Sequence, residues 1–87
     1  MKALLQPGDK VTIRSDIRGN INYKMKTNDA SNVYIAKHMA SPGEAVTIKG
    51  YRHDQYYVDE DDFWNYTDEM FDPELIEYLQ EDYKNKN

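Results

Sequence analysis

Three stretches of the chain alternate polar and apolar residues with a period of two, the signature of a strand with one buried face. Lys10-Val11-Thr12-Ile13-Arg14 turns Val11 and Ile13 inward, and Ala45-Val46-Thr47-Ile48-Lys49 does the same with Val46 and Ile48. Gln55-Tyr56-Tyr57-Val58-Asp59 sets Tyr56 and Val58 on one face against Tyr57 and Asp59 on the other. The first two strands are each led by a Pro-Gly turn, Gln6-Pro7-Gly8-Asp9 and Ser41-Pro42-Gly43-Glu44. Arg52-His53-Asp54 makes a hairpin connection, and Phe63-Trp64-Asn65-Tyr66 reads as a fourth, aromatic strand. Ser15 to Asn32 is polar and rich in asparagine, and reads as a long loop with a short strand at Ile21–Met25. Val33–Met39 fits a strand and a helical turn equally, and Thr67–Phe71 reads as one tight helical turn capped by Thr67.

The periodicity changes at the end of the chain. Asp72 suits an N-cap and Pro73 the first helical position. Ile76, Leu79 and Tyr83 then follow at i, i+3 and i+7. The spacing predicts an amphipathic helix over 73–84. Alone it is marginal, so its apolar face should dock on the rest of the chain or on a second copy. The expected architecture is mainly β: a small half-open barrel over residues 1–72 with one-turn helices, followed by a C-terminal amphipathic helix and tail over 73–87.

Composition bounds the class. Eighty-seven residues make one domain, with aromatics at 13% of the chain, including eight tyrosines. The absence of cysteine excludes a disulfide framework or a thiolate metal site and fits a reducing compartment. Met1–Leu5 is cut short by Gln6-Pro7-Gly8-Asp9 before it could form a signal peptide, and no run approaches a membrane span. The expectation is a soluble cytoplasmic protein.

Charge divides the chain. Residues 1–53 carry nine Lys and Arg against four Asp and Glu, a balance of +5; residues 54–87 carry two against twelve, a balance of −10. The acids concentrate in Asp59-Glu60-Asp61-Asp62, Asp68-Glu69 and Asp72. Such a surface either solubilises the protein or meets a basic partner.

Little in the sequence resembles catalytic or metal chemistry. His38 and His53 are fifteen residues apart and lack the partners of a zinc site or a triad. The consecutive acids of 59–62 are followed by Phe63-Trp64 rather than the glycine turn of a calcium loop. With four glycines and no glycine-rich motif, there is no phosphate loop. The expectation is no enzyme, no cofactor and no metal. Arg14, Arg18, Lys24 and Lys26 make a modest basic patch near Tyr23, but the acidity of the whole chain opposes direct nucleic-acid binding. Trp64 and Tyr66 alternate onto one face and belong in the core; Tyr57 and Phe63 are the surface aromatics.

Two stretches carry a resemblance. Pro7-Gly8-Asp9-Lys10-Val11-Thr12-Ile13-Arg14-Ser15-Asp16 is similar to a G-D-x-V-x-I-R-S-D opening, and Trp64-Asn65-Tyr66-Thr67-Asp68-Glu69-Met70-Phe71 to a W-x-W-T-x-E-M-F ending. Both mark the short SH3-like proteins of phages and prophages of Gram-positive bacteria. The resemblance covers residues 7–72 and departs at Tyr66, where the pattern has a second tryptophan, and in the helix after Pro73. It implies an SH3-like barrel and a phage origin. Small acidic phage proteins are often inhibitors of host defence, so the resemblance implies an anti-CRISPR-like binder whose partner is a host protein with a basic surface, such as a nuclease. The expected partner-binding residues are Tyr57, Asp59, Glu60, Asp61, Asp62, Phe63, Asp68 and Glu69. The alternative is a self-associating phage structural or regulatory protein, a homodimer through Ile76, Leu79 and Tyr83.

Overall fold

The computed structural model describes residues 5–26 and 28–74. Six strands and one 3₁₀ turn occur in this span: β1 (Lys10–Thr12), β2 (Asn22–Lys24), β3 (Ser31–Val33), β4 (Ala45–Arg52), β5 (Gln55–Val58), β6 (Asp61–Tyr66) and the 3₁₀ turn Asp68–Met70. β1, β4, β5 and β6 form one antiparallel sheet in that order, and β2 and β3 form a separate antiparallel hairpin.

The two Pro-Gly turns explain the first pairing. In each, the fourth residue's N–H donates to the first residue's carbonyl: Asp9 to Gln6 and Glu44 to Ser41, both at 3.0 Å. In each, the same acid's side chain accepts the first residue's N–H, Asp9 at 2.7 Å and Glu44 at 3.0 Å. Gly8 (φ 95°) and Gly43 (φ 79°) sit at the third turn position, where a type II turn needs positive φ. The strands that follow pair antiparallel with Val11 opposite Val46. The turns extend the ladder reciprocally: Gly8 N–H donates to Ile48 C=O and Gly43 N–H to Ile13 C=O. Ile13 N–H likewise donates to Glu44 C=O and Ile48 N–H to Asp9 C=O. The pair thus has a local two-fold symmetry.

After β6 the chain makes its 3₁₀ turn and returns to the other edge of β1. Ile13 bridges Phe71, Arg14 N–H donates to Met70 C=O and Asp72 N–H to Thr12 C=O. The core lies inside this wrap. Val11, Ile13, Val46, Ile48, Tyr56 and Val58 are buried as the alternation requires, and Tyr34, Tyr66, Met70 and Phe71 complete it. Buried tyrosines need a partner for their hydroxyls. Tyr56 accepts the Leu5 N–H at 3.0 Å, Tyr66 accepts the Ala40 N–H at 2.8 Å, and Tyr34 donates to the Ala40 carbonyl at 2.6 Å.

Several expectations are corrected. The expected loop over 15–32 holds the short strand as β2 and ends in a second strand, β3, that runs on to Val33 and pairs with it. Val33 ends β3, and the following stretch makes a single turn in which His38 and Met39 N–H both donate to Ile35 C=O. Thr67 precedes the 3₁₀ turn but makes no side-chain cap bond. Trp64 is half-buried at the rim of the core, where its ring stacks on His38 at 5.7 Å. Beyond Glu74 the expected helix over 73–84, with Ile76, Leu79 and Tyr83 and their expected dimer contact, lies outside the described residues. At the last described residues, Asp72 Oδ1 accepts the Glu74 N–H at 2.9 Å. No helix among the described residues is long and apolar enough to cross a membrane.

Candidate functional site

β6 is the last strand of its sheet, and it leaves its register. Tyr56 opposes Tyr66 and Val58 opposes Asp61, so two residue steps on β5 face five on β6. The surplus carries Phe63 outward to 89% exposure, while Tyr66 returns to the core. An excursion of this kind bends the strand and re-aims its side chains. It also frees backbone groups that a regular ladder would pair.

Side chains take up those groups. Asp61 Oδ1 accepts the N–H of Phe63 at 3.0 Å and of Trp64 at 3.2 Å, and Asp61 Oδ2 accepts the Tyr66 hydroxyl at 2.7 Å. Arg52 donates from Nη2 to the Asp62 carbonyl at 2.9 Å and from Nε to Asn65 Oδ1 at 2.8 Å. The Asn65 carbonyl accepts Asn32 Nδ2 at 2.8 Å, so β3 reaches the same strand.

The remaining acids of the tip are held from β4. Lys49 Nζ donates to Asp62 at 2.9 Å, and this bond, with the charge it brings, holds the Asp62 carboxyl below its ordinary pKa. Glu60 accepts from the Thr47 N–H at 2.8 Å and hydroxyl at 3.2 Å. Desolvation pushes its pKa up, but these and other hydrogen bonds outweigh it, and the net shift is downward. The pairs Thr47–Glu60, Lys49–Asp62 and Arg52–Asn65 are all 13 residues apart. β4 and β6 both run antiparallel to β5, hence parallel to each other, which lets side chains of one reach the other in the same order. Asp59 is exposed, with its N–H on the Thr47 carbonyl.

Tyr57 is half-buried rather than free. The Arg52 guanidinium lies 4.3 Å from its ring centroid, and the ring lies so close over Gly50 that a Cβ there would come within 2.7 Å of it. Gly50 is what admits the ring.

Asp68 and Glu69 belong elsewhere. Asp68 is buried, with 1% exposure, and its Oδ1 accepts the Lys26 N–H; Glu69 Oε2 accepts the Lys24 N–H, both at 2.9 Å. The two carboxylates take the alternate N–H groups of one edge of β2, as a neighbouring strand would. Asp68 is therefore withdrawn from any docking surface, and Glu69 is engaged at this edge. Of the eight expected partner-binding residues, the β5–β6 end brings together Asp59, Glu60, Asp61, Asp62 and Phe63. Tyr57 lies inside the sheet face, and the other two hold the β2–β3 hairpin.

Arg52, Lys49 and Asn65 shape the site and were not singled out in the sequence. The only signal for them is the constant 13-residue offset, which is visible only once the β4–β5–β6 meander is assumed. The basic patch lies on the β2–β3 side: Arg14 pairs with Asp16 at 2.7 Å and faces the Tyr23 ring at 6.0 Å, and Arg18, Lys24 and Lys26 are exposed. No group of three or more potential metal ligands occurs among the described residues. The chain matches no protein-family model, no curated protein and no solved structure.

Proposed function

We propose that this chain is a non-enzymatic protein-binding module of SH3-like half-open barrel type, and that it inserts Phe63 into an apolar pocket ringed by basic side chains. The observation that carries the reading is the 89% exposure of Phe63 on a strand whose backbone is tied down on both sides. An exposed ring on a rigid backbone is the form a binding hot spot takes. Around it stand the four carboxylates of residues 59–62, against the cations Lys49, paired with Asp62, and Arg52, bonded to the Asp62 carbonyl. That excess steers a basic partner to the site, while the ring supplies the short-range affinity.

The barrel reading is supported by the order of elements: β1, the β2–β3 hairpin, the β4–β5–β6 meander, the 3₁₀ turn and the return of Phe71 to β1. The resemblance of residues 7–72 to phage SH3-like proteins favours a host protein as the partner. An anti-CRISPR-like inhibitor that covers the basic nucleic-acid channel of a nuclease is the specific form of the proposal.

Selection of random peptides on the immobilised protein tests it. Enriched peptides should carry an apolar residue flanked by Lys and Arg, and should bind more weakly as salt rises. Phe63→Ala should cost about 2 kcal/mol of that affinity or more, whereas Lys24→Ala and Lys26→Ala on the β2–β3 hairpin should leave it unchanged. Enrichment without basic residues, or binding indifferent to Phe63→Ala, overturns the proposal.

A further inference from the structure

We propose that Asp61 is a positioning residue: its carboxylate holds the β6 excursion, so that Phe63 meets its partner already in place. The inference rests on reading Phe63 as the anchor of the site. It assigns Asp61 a different task from Asp59, Glu60 and Asp62, which it resembles in sequence.

The geometry separates them. Asp59, Glu60 and Asp62 are exposed, whereas Asp61 is half-buried and accepts three hydrogen bonds. Two come from consecutive N–H groups, those of Phe63 and Trp64, at the point where β6 departs from β5. The third comes from the Tyr66 hydroxyl, which itself accepts the Ala40 N–H, and the Ala40 carbonyl accepts the Tyr34 hydroxyl. The carboxylate is therefore fixed to the core through two buried tyrosines and in turn fixes the backbone that carries Phe63. A short acid at this position reaches both N–H groups, and each acceptor oxygen is used. The other side of the excursion is held by Arg52 on Asp62 C=O and Asn65 Oδ1. A backbone held in its binding geometry before the encounter avoids an ordering cost on association.

Amide hydrogen exchange on the full chain, followed by NMR, tests the assignment without a partner. In the wild type the Phe63 and Trp64 amides should exchange more slowly than in an unstructured peptide. Asp61→Ala should speed both at least tenfold and leave Ile13 and Ile48, in the β1–β4 ladder, unchanged. Asp61→Asn keeps the Oδ1 acceptor and should retain the protection. Tyr66→Phe removes only the third bond and should retain it too. If Asp61→Ala does not fold, Asp61→Glu keeps the charge and displaces the acceptor by one methylene, and should lose the protection of the same two amides. Unchanged exchange of the two amides in Asp61→Ala and Asp61→Glu, or a loss spread equally over Ile13 and Ile48, overturns the proposal.

The selected basic peptides separate this failure from failure of the anchor reading. If Phe63→Ala binds them like the wild type while Asp61→Ala loosens the two amides, the anchor is wrong and the positioning stands. If Phe63→Ala loses binding while Asp61→Ala leaves the amides protected, the positioning alone is wrong.

Discussion

The β1–β4 pair and the β5–β6 pair are both antiparallel, yet they are held together by different means. In the first, backbone bonds backbone throughout, from Gly8 to Ile48 and from Gly43 to Ile13, and side chains serve only to pack or to close the turns. In the second, the ladder is interrupted, and side chains of Asp61, Arg52 and Asn32 substitute for the missing strand contacts. The regular pair buries both its inward rows. The irregular pair buries Tyr66 and displays Phe63. Regularity is cheap to specify, since two residue classes and a turn suffice, but it cannot place one chosen ring in solvent. The irregular pair can, at the cost of committing polar side chains to the backbone.

The most severe way to break the comparison is through the buried isoleucines of the regular pair. Ile13 and Ile48 are related by its local symmetry and are exposed by 0% and 1%. Each substitution to alanine should cost about 2–5 kcal/mol, the range for deleting a buried isoleucine side chain. Urea unfolding should return similar values for the two, each well above that for Trp64→Ala at the half-buried rim. Costs that differ severalfold between Ile13 and Ile48 would mean that the symmetry is only in the backbone.

A smaller effect is expected where the meander is tightest. Gly50→Ala places a methyl 2.7 Å from the Tyr57 ring, and ring atoms at the sheet face must move. Overpacking of this kind costs about 1–3 kcal/mol. In a Tyr57→Ala background the same change should cost much less, because the obstacle is gone. A double-mutant cycle that shows no coupling would place the glycine requirement in the backbone rather than in the ring.

Alkaline pH probes the tyrosines that anchor each region. Burial raises the Tyr56 hydroxyl to about 12, and burial raises Tyr66 as well. Both groups favour the protonated form in the folded state. Their contribution to stability is therefore complete below about pH 10, the ordinary tyrosine value, and is lost as pH rises toward 12. Absorbance at the tyrosinate band should show Tyr56 and Tyr66 ionising above the ordinary tyrosine range, together with loss of circular dichroism. A single phase near pH 10 with the fold intact would contradict the burial of both hydroxyls.

The contrast between the two pairs also explains what could be read from the chain in advance. Val11, Ile13, Val46, Ile48, Tyr56 and Val58 follow a period of two, and the Pro-Gly turns mark where their strands begin, so this part of the core was legible. Ser31-Asn32-Val33 shows no alternation, and β3 exists because it pairs with β2 and reaches β6 through Asn32. Trp64 looked inward by parity with Tyr66, but parity holds only while the register does, and the β5–β6 register shifts between Tyr66 and Asp61. Asp68 and Glu69 looked like part of one acidic surface. Their task is set by N–H groups 42 and 45 residues away, which no local pattern records. Phe63 was legible as a surface aromatic, whereas the residues that hold its backbone were not.

The smallest effect concerns the turn that joins the β4 and β5 strands. Arg52 opposes Gln55, so His53 and Asp54 are the two residues of a hairpin loop, and both have positive φ, 53° and 62°. That is the geometry of a type I′ turn, for which Asn-Gly is the favoured pair. A histidine and an aspartate there carry a steric penalty that asparagine reduces and glycine avoids. The contact made at the turn, Asn28 Nδ2 to the Asp54 carbonyl at 3.1 Å, is to the backbone and survives the change. The double substitution His53→Asn, Asp54→Gly should therefore stabilise the chain by about 0.5–1 kcal/mol, the relief of left-handed strain less the extra freedom glycine gives the unfolded chain, a rise of roughly 2–8 °C in Tm for a domain of this size. The gain should be independent of Asp61 and Phe63, since the turn lies at the opposite end of β5 from the tip. Thermal unfolding of the double variant alone and combined with Asp61→Asn checks both points. A loss of stability would show that the His53 or Asp54 side chain contributes more than its backbone strain costs, and a gain that vanishes with Asp61→Asn would show that the two ends of the meander are coupled.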